Sequence, residues 1–204
     1  MDGRGNLKIK KMKIAIFGYG GHAREVAAQI NKPVTFFVDD DYSNKITKPF
    51  SSFNPAEYMV MIAVAEPEER RKIVERFPKG TIFFSFVHPT AQIFSQDVII
   101  EEGSFIGANC ILTTNIRIGK HAILNRGNQV GHDSSIGDYF SAMPGSIVSG
   151  NVIIGNEVYL GTNSSIKEKI NVCNNVKVGS NGAVVKNISE SGIYVGVPCK
   201  KIRI

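Results

Sequence analysis

A chain of 204 residues with 43% apolar and 21% charged residues can bury one large core or two modest ones, which excludes a disordered polypeptide. Its formal charge of +6 is crowded at the two ends (Arg4, Lys8, Lys10, Lys11 and Lys13; Lys200, Lys201 and Arg203), so nucleic acid is not the expected partner. No apolar stretch approaches a bilayer span and no signal-peptide core opens the chain, so membrane insertion is not expected and the cytoplasm is the expected compartment.

Residues 1–11 are polar and basic and read as a disordered or appended tail, outside the fold. Residues 12–85 read as a small parallel βαβ domain. Ile14 to Phe17 is a short apolar run that ends in Gly18-Tyr19-Gly20-Gly21-His22-Ala23, and a helical pattern follows through Ile30. Gly18, Gly20 and Ala23 fit G-x-G-x-x-[G/A] between a strand and a helix, where glycines let backbone approach a phosphate and the helix N-terminus offers free N–H donors. A second strand, Val34 to Val38, ends in Asp39-Asp40-Asp41, where a carboxylate could accept hydrogen bonds from a ribose or a base. A third strand, Tyr58 to Val64, precedes a helix opened by Pro67-Glu68-Glu69 and followed by Arg70, Arg71, Lys72 and Arg76. Thr81 to Phe86 reads as the last strand. A full dinucleotide fold joins two such halves, so one nucleotide is the better fit, and a bare tight turn remains the competing reading.

Residues 86–204 follow a different rhythm. Stepping by six from Ile100 meets Ile106, Leu112, Ile118, Leu124, Val130, Ile136, Ala142, Val148, Ile154, Leu160, Ile166, Val172, Val178 and Val184, fifteen aliphatic positions without a break. At 43% apolar composition one register does this by chance in about three of a million cases. Glycine follows the aliphatic at 107, 119, 131, 137, 155, 161 and 179, and the residue two before it is mostly small or β-branched, with Asn128 and Phe140 as departures. Alternation puts both positions inward, and three hexads close one coil of a triangular parallel β-helix. After Val185 the period stops, leaving Lys186 to Ile204 as a capping tail.

The chemistry available in this half is narrow. His132 stands at an outward corner with Asp133 beside it, and a carboxylate can orient an imidazole and raise its basicity. A solvent-exposed corner histidine without a function is the competing reading. No G-x-S-x-G elbow is present. Cys110, Cys173 and Cys199 are scattered without zinc-ligand spacing, and His121 and His132 lack a third histidine in the repeat, so no metal is expected.

Taken together these residues resemble the bacterial sugar acyltransferases of the NeuD/PglD type. The resemblance rests on Ile14-Ala15-Ile16-Phe17-Gly18-Tyr19-Gly20-Gly21-His22, on the aspartates after the second strand, and on His88-Pro89-Thr90-Ala91 at the junction. It rests equally on Gly131-His132-Asp133 with Ile136-Gly137 and on Gly196-Val197-Pro198-Cys199-Lys200. It implies a Rossmann-like front domain joined to a left-handed β-helix. It further implies a homotrimer, acetyl-CoA as co-substrate, and transfer to the amine of a UDP- or dTDP-4-amino-4,6-dideoxysugar. His132 would be the general base supported by Asp133. Gly20, Gly21, His22 and Ala65 would lie against the nucleotide-sugar, with Asp39 and Asp40 on its base. Acetyl-CoA would run between subunits near Gly150, Thr162 and Ser180. Some family members place a second histidine nine residues after the base, against acetyl-CoA; this chain has Ser141 there. O-acetylation of a sialic acid or related sugar, and a non-catalytic solenoid that binds a nucleotide-sugar, are the alternatives.

Overall fold

The computed structural model describes residues 12–203; the tail expected at residues 1–11 lies outside the described residues. The chain opens with a five-stranded parallel sheet made of β1 (Lys13–Phe17), β2 (Val34–Val38), β3 (Thr47–Pro49), β4 (Tyr58–Ile62) and β5 (Ile82–Phe83). Their spatial order is β3-β2-β1-β4-β5, so the direction of winding reverses beside β1. That reversal opens a crevice at the carboxyl ends of the strands, where this kind of sheet binds ligands. Helix α1 (Gly21–Ile30) follows β1 and helix α2 (Pro67–Glu75) follows β4. Strand β3 is absent from the sequence reading: three residues ending in proline at a sheet edge give no alternation to detect.

The sheet packs differently on its two faces. One face holds Phe17, Phe37, Phe53, Tyr58 and Phe77, edge-to-face aromatics such as Phe37–Phe53 at 5.3 Å and Phe53–Phe77 at 4.9 Å. The other buries Ile16, Ala23, Val26, Ile30 and Met61 together with Phe105 and Ile123 of the second half. The two halves therefore share an apolar core.

From Phe86 onward the chain winds into a left-handed parallel β-helix of two-residue strands. Three stacked sheets form its faces. An eight-stranded face starts at Phe86–Val87 and lies against the front domain; it is called the domain face here. A six-stranded second face starts at Gln92–Ile93, and a five-stranded third face starts at Ile99–Ile100. Strands one coil apart pair in register eighteen residues on, as in Ile111↔Gln129 and Ile118↔Ile136. Fourteen of the fifteen aliphatics are buried, and Ile100 is partly so.

The winding begins earlier than the six-residue run. Phe86–Val87 and Gln92–Ile93 already pair into the prism, but seven residues separate Ile93 from Ile100, and the extra one hides this first turn from a strict period. The expected strand Thr81 to Phe86 is accordingly two strands, with Ile82–Phe83 closing the front sheet and Phe86 opening the prism. The tail adds a bridge at Ile188, a strand at Gly192–Val195 and an antiparallel strand at Lys200–Lys201.

Two steric rules explain the repeat. A Cβ on Gly131 would stand 2.6 Å from the backbone nitrogen of Gly150, one coil above, so the position after the aliphatic favours glycine. Every sixth residue from Gly103 to Asn181 has positive φ, and ten of those fourteen are Gly, Asn or Asp, the types that tolerate this turn.

Candidate active site

His132 and Asp133 occupy the edge between the second and third faces. The His132 side chain is 57% exposed, and its Nδ1 lies 2.7 Å from Asp133 Oδ2. The Asn115 amide, one coil below, donates to Asp133 Oδ1 at 2.7 Å. Asn115 first and His132 second hold the Asp133 carboxyl below its ordinary range, so it is an ionised acceptor at neutral pH. An ionised carboxylate has no proton to give, which places the shared hydrogen on Nδ1, so that in the neutral ring the lone pair is the one on Nε2. Asn115 is itself seated by its backbone N–H on Asp97 Oδ1 at 2.8 Å. Three successive coils therefore stack Asp97, Asn115 and Asp133 into a bracket for one ring. Above that ring, a Cβ on Gly150 would stand 2.6 Å from His132 Nε2, so the imidazole keeps its place only over a glycine.

The glycine loop after β1 faces two hollows. The first, of about 390 Å³, is lined by Gly18, Tyr19, Gly20, Asp39, Tyr42 and Val64, among others. Gly18 has φ +109° and is needed for the turn. Gly20 and Gly21 are different: a Cβ on either would meet nothing within 4 Å, so their smallness leaves room for a ligand rather than for the protein. Helix α1 has no acidic residue in its first turn and no side-chain cap, leaving its N–H donors to whatever enters. Asp39 faces this hollow and pairs with Arg76, whose guanidinium lies 4.9 Å over the Phe50 ring. Asp40 is not among the lining residues. It accepts the Ser51 backbone N–H at 3.0 Å, which holds its carboxyl below the usual range and pins the adjoining loop.

The second hollow, of about 320 Å³, is a groove between the halves, lined by Gly21, His22, Glu25 and Ala65 and by Asn125, Arg126, Met143 and Pro144 of the prism. His22 Nε2 is buried there without a protein partner, and burial pulls the ring below its ordinary pKa.

The prism separates the candidate residues in an instructive way. Asn125, Arg126, Met143, Pro144, Thr162 and Ser180 follow strands of the domain face and lie along its edge with the second face. His132 and Gly150 lie along the edge opposite the domain face. One chain thus brings Gly20, Gly21, His22, Asp39 and Ala65 around two adjoining hollows, and His132, Asp133 and Gly150 around one ring, but does not bring the two groups together. Ser141 joins neither. It is fully buried beneath the front domain, donating to the Ala65 carbonyl at 2.6 Å and accepting from Arg70 at 2.9 Å. Its hydroxyl is committed to the contact between the halves, which leaves it nothing to offer an exposed ligand. Among the described residues, no three His, Cys, Asp or Glu side chains converge as metal ligands, and no helix is long and apolar enough to cross a membrane.

Residues 13–77 match the family model described as the PglD N-terminal domain. The GDP-perosamine N-acetyltransferase of Escherichia coli O157:H7 is 27% identical over 173 residues, spanning 76% of this chain and 78% of the relative. The chain is homologous to the sugar acetyltransferases of the PglD/NeuD type. WeeI from Acinetobacter baumannii AYE superposes with a TM-score of 0.84 at 27% identity, over 94% of this chain and 100% of that one. PerB from Caulobacter crescentus, solved with CoA and GDP-perosamine, shares the fold with a TM-score of 0.86 at 23% identity, over 94% of this chain and 97% of its own.

The residues that sequence reasoning missed are those whose role is to hold others. Asn115, Asp97 and Arg70 carry no motif. Asn115 belongs to the six-residue ladder of Asn, Asp and Gly at positive φ, whose every third member stands on one edge, whereas Asp97 lies before the ladder begins.

Proposed function

We propose that this chain is an acetyl-CoA-dependent N-acetyltransferase that acts on the amino group of a nucleotide-linked 4-amino-4,6-dideoxysugar. The observation behind it is the His132–Asp133 pair, an exposed imidazole whose Nδ1 is engaged and whose Nε2 has no hydrogen-bond partner, in a chain that also has open space at a helix N-terminus. The nucleotide would occupy the hollow beside Asp39 with its phosphates at Gly20 and Gly21. The sugar would reach past His22 and Ala65 into the groove.

In the transfer, the sugar amine bonds to the thioester carbonyl carbon while His132 Nε2 takes the amine proton. The carbon–sulfur bond then breaks and the same proton goes to the departing thiolate. Asp133 steadies the ring's positive charge between the two events. Donors aimed at the carbonyl oxygen and the holding of both substrates together supply the rest of the acceleration.

Because the imidazole lies on the edge opposite the domain face, it serves the groove of another copy. A closed trimer would set the His132–Gly150 edge of one protomer against the Arg126–Thr162–Ser180 edge of its neighbour, with acetyl-CoA between them. Exposed isoleucines flanking the His132 edge, Ile99 and Ile153 on the third face and Ile147 on the second, support a buried contact there. The natural first acceptor to assay is a GDP-linked aminosugar, followed by UDP- and dTDP-linked ones, because the Escherichia coli relative is named for GDP-perosamine.

Thiol release on mixing the chain with acetyl-CoA and each acceptor tests the activity; no release with any of them rejects it. The shared site has its own test. His132→Ala protomers refolded with protomers blocked at the acceptor groove by Gly21→Trp should recover about a quarter of the activity by random assortment. No recovery from two soluble partners rejects a site built from two chains.

A further inference from the structure

Arg70 sits in the middle of α2 and is fully buried. Its five N–H donors span the two halves of the molecule. Nη1 donates to the carbonyls of Val64, at 2.5 Å, and Ala65, at 3.1 Å, in the front domain. Nε donates to the His121 carbonyl at 2.8 Å, and Nη2 to the carbonyls of Tyr139 and Phe140 and to Ser141 Oγ at 2.7, 3.0 and 2.9 Å, all in the prism. Ser141 closes the circuit by donating its own hydroxyl hydrogen to Ala65. Burial lowers the guanidinium to about 9, with Glu66 the largest opposing influence, so it stays charged at neutral pH.

A buried cation whose direct partners are carbonyls and a hydroxyl is an expensive way to join two domains. Apolar residues of similar volume often do so at no cost in stability. An apolar side chain, though, cannot dictate where a loop's carbonyls sit, whereas a planar guanidinium fixes several acceptors at once. The acceptors in question matter: Val64 lines the hollow beside Asp39, and Ala65 lines the groove beside His22.

We propose that Arg70, seconded by Ser141, is a positioning residue for the acceptor substrate: it locks the wall common to both hollows against the prism and so sets where the sugar amine is presented. The proposal rests on the nucleotide-sugar reading above. Arg71–Glu157 and Lys177–Glu66 also cross the interface, at 3.0 and 2.7 Å, and are partly buried pairs that strengthen it without touching the 64–65 carbonyls.

Arg70→Lys keeps the charge and loses the fork, and Ser141→Ala removes one acceptor and the donor to Ala65. In the full-length protein, Arg70→Lys should raise KM for the nucleotide-sugar about tenfold and Ser141→Ala about threefold, the scale of one or two lost hydrogen bonds. KM for acetyl-CoA should stay within about twofold. An unchanged nucleotide-sugar KM in a folded variant overturns the proposal, as does an equal rise in both constants or a rise for acetyl-CoA alone, which would return Ser141 to the other substrate. If Arg70→Lys does not fold, Ser141→Ala decides by the same criteria. Amide exchange at residues 63–66 provides a substrate-free readout: it should quicken in Ser141→Ala relative to residues 13–17, and unchanged exchange overturns the clasp. Should the unaltered protein turn over no nucleotide-sugar at all, the functional reading falls, and exchange alone then judges Arg70.

Discussion

The prism and the front domain make binding surfaces by opposite means. In the prism, precision comes from repetition: each coil seats the next at eighteen-residue spacing, and Asp97, Asn115 and Asp133 brace one imidazole because they occupy the same rung of successive coils. In the front domain, nothing repeats. Its hollows lie in loops at strand ends, held by an aromatic cluster and by the individual Asp39–Arg76 and Asp40–Ser51 contacts, 37 and 11 residues apart in sequence. A regular scaffold fixes a single group well and a loop surface surrounds a large, varied ligand, and the two are joined where a buried arginine makes the loop behave as part of the scaffold.

The contrast can be broken most severely at the ring itself. His132→Ala should lower kcat about a thousandfold while leaving the melting temperature within a degree or so, because an exposed side chain adds little to the core. Thiol release and a thermal melt on the same sample check both halves of that expectation.

Truncation inside the stack should be costly to the whole molecule. Leu124→Ala, at a fully buried rung, should lose about 2–5 kcal/mol in urea unfolding. A loss well below 1 kcal/mol would mean that the coils do not share one core.

The same substitution should act differently in the two regions. Gly137→Ala forces a Cβ to within 2.6 Å of the Gly155 backbone, with an expected destabilisation of about 1–3 kcal/mol. Gly21→Ala meets nothing and favours the helix, so stability should hold or rise by up to about 1 kcal/mol while nucleotide-sugar affinity falls. Calorimetry with a sugar nucleotide and parallel melts separate the two. A Gly21→Ala chain with undiminished affinity would remove the phosphate site from that loop.

The most gradual effect concerns pH. His121 is buried at the interface, stacked on Tyr139 at 5.2 Å, and burial, then Arg70, pull it from 6.5 to about 4. Its folded pKa lies below its unfolded one, so between those values the unfolded chain binds the extra proton. Stability should therefore be complete above pH 6.5 and decline as pH falls toward 4, by roughly 3 kcal/mol at most from this group. His22 is shifted in the same direction and adds to the decline. His121→Asn, which suits the positive φ of 53°, should flatten the profile measured by urea unfolding across that range, and an unaltered slope would assign the decline elsewhere.

Legibility in the sequence followed the same division. The prism could be read almost entirely, because a fifteen-fold period of inward aliphatics calls for a stacked parallel coil, its hand alone coming from the family resemblance; what broke the period was local, the seven-residue step from Ile93 to Ile100. In the front domain the strands at Val34–Val38 and Tyr58–Ile62 and both helices announced themselves by apolar runs and by Pro67, while β3 did not. His132 and Asp133 were visible because chemistry and adjacency coincide in sequence. Ser141 and Arg70 were not, since their partners lie 76 and up to 71 residues away and only the docking of two domains brings them together. The separation of His132 from its own groove was likewise hidden, because it depends on which prism edge each hexad reaches.

The regular pitch of the prism sets the grain at which this molecule can be altered. Removing one residue between Asp133 and Gly150 would shift every later rung, turning inward aliphatics toward solvent and moving Gly150 from above the imidazole. Excising a complete turn would instead rejoin matching ledges and restore the inward row. Length can change in whole storeys, and the chain has no tolerance for half of one.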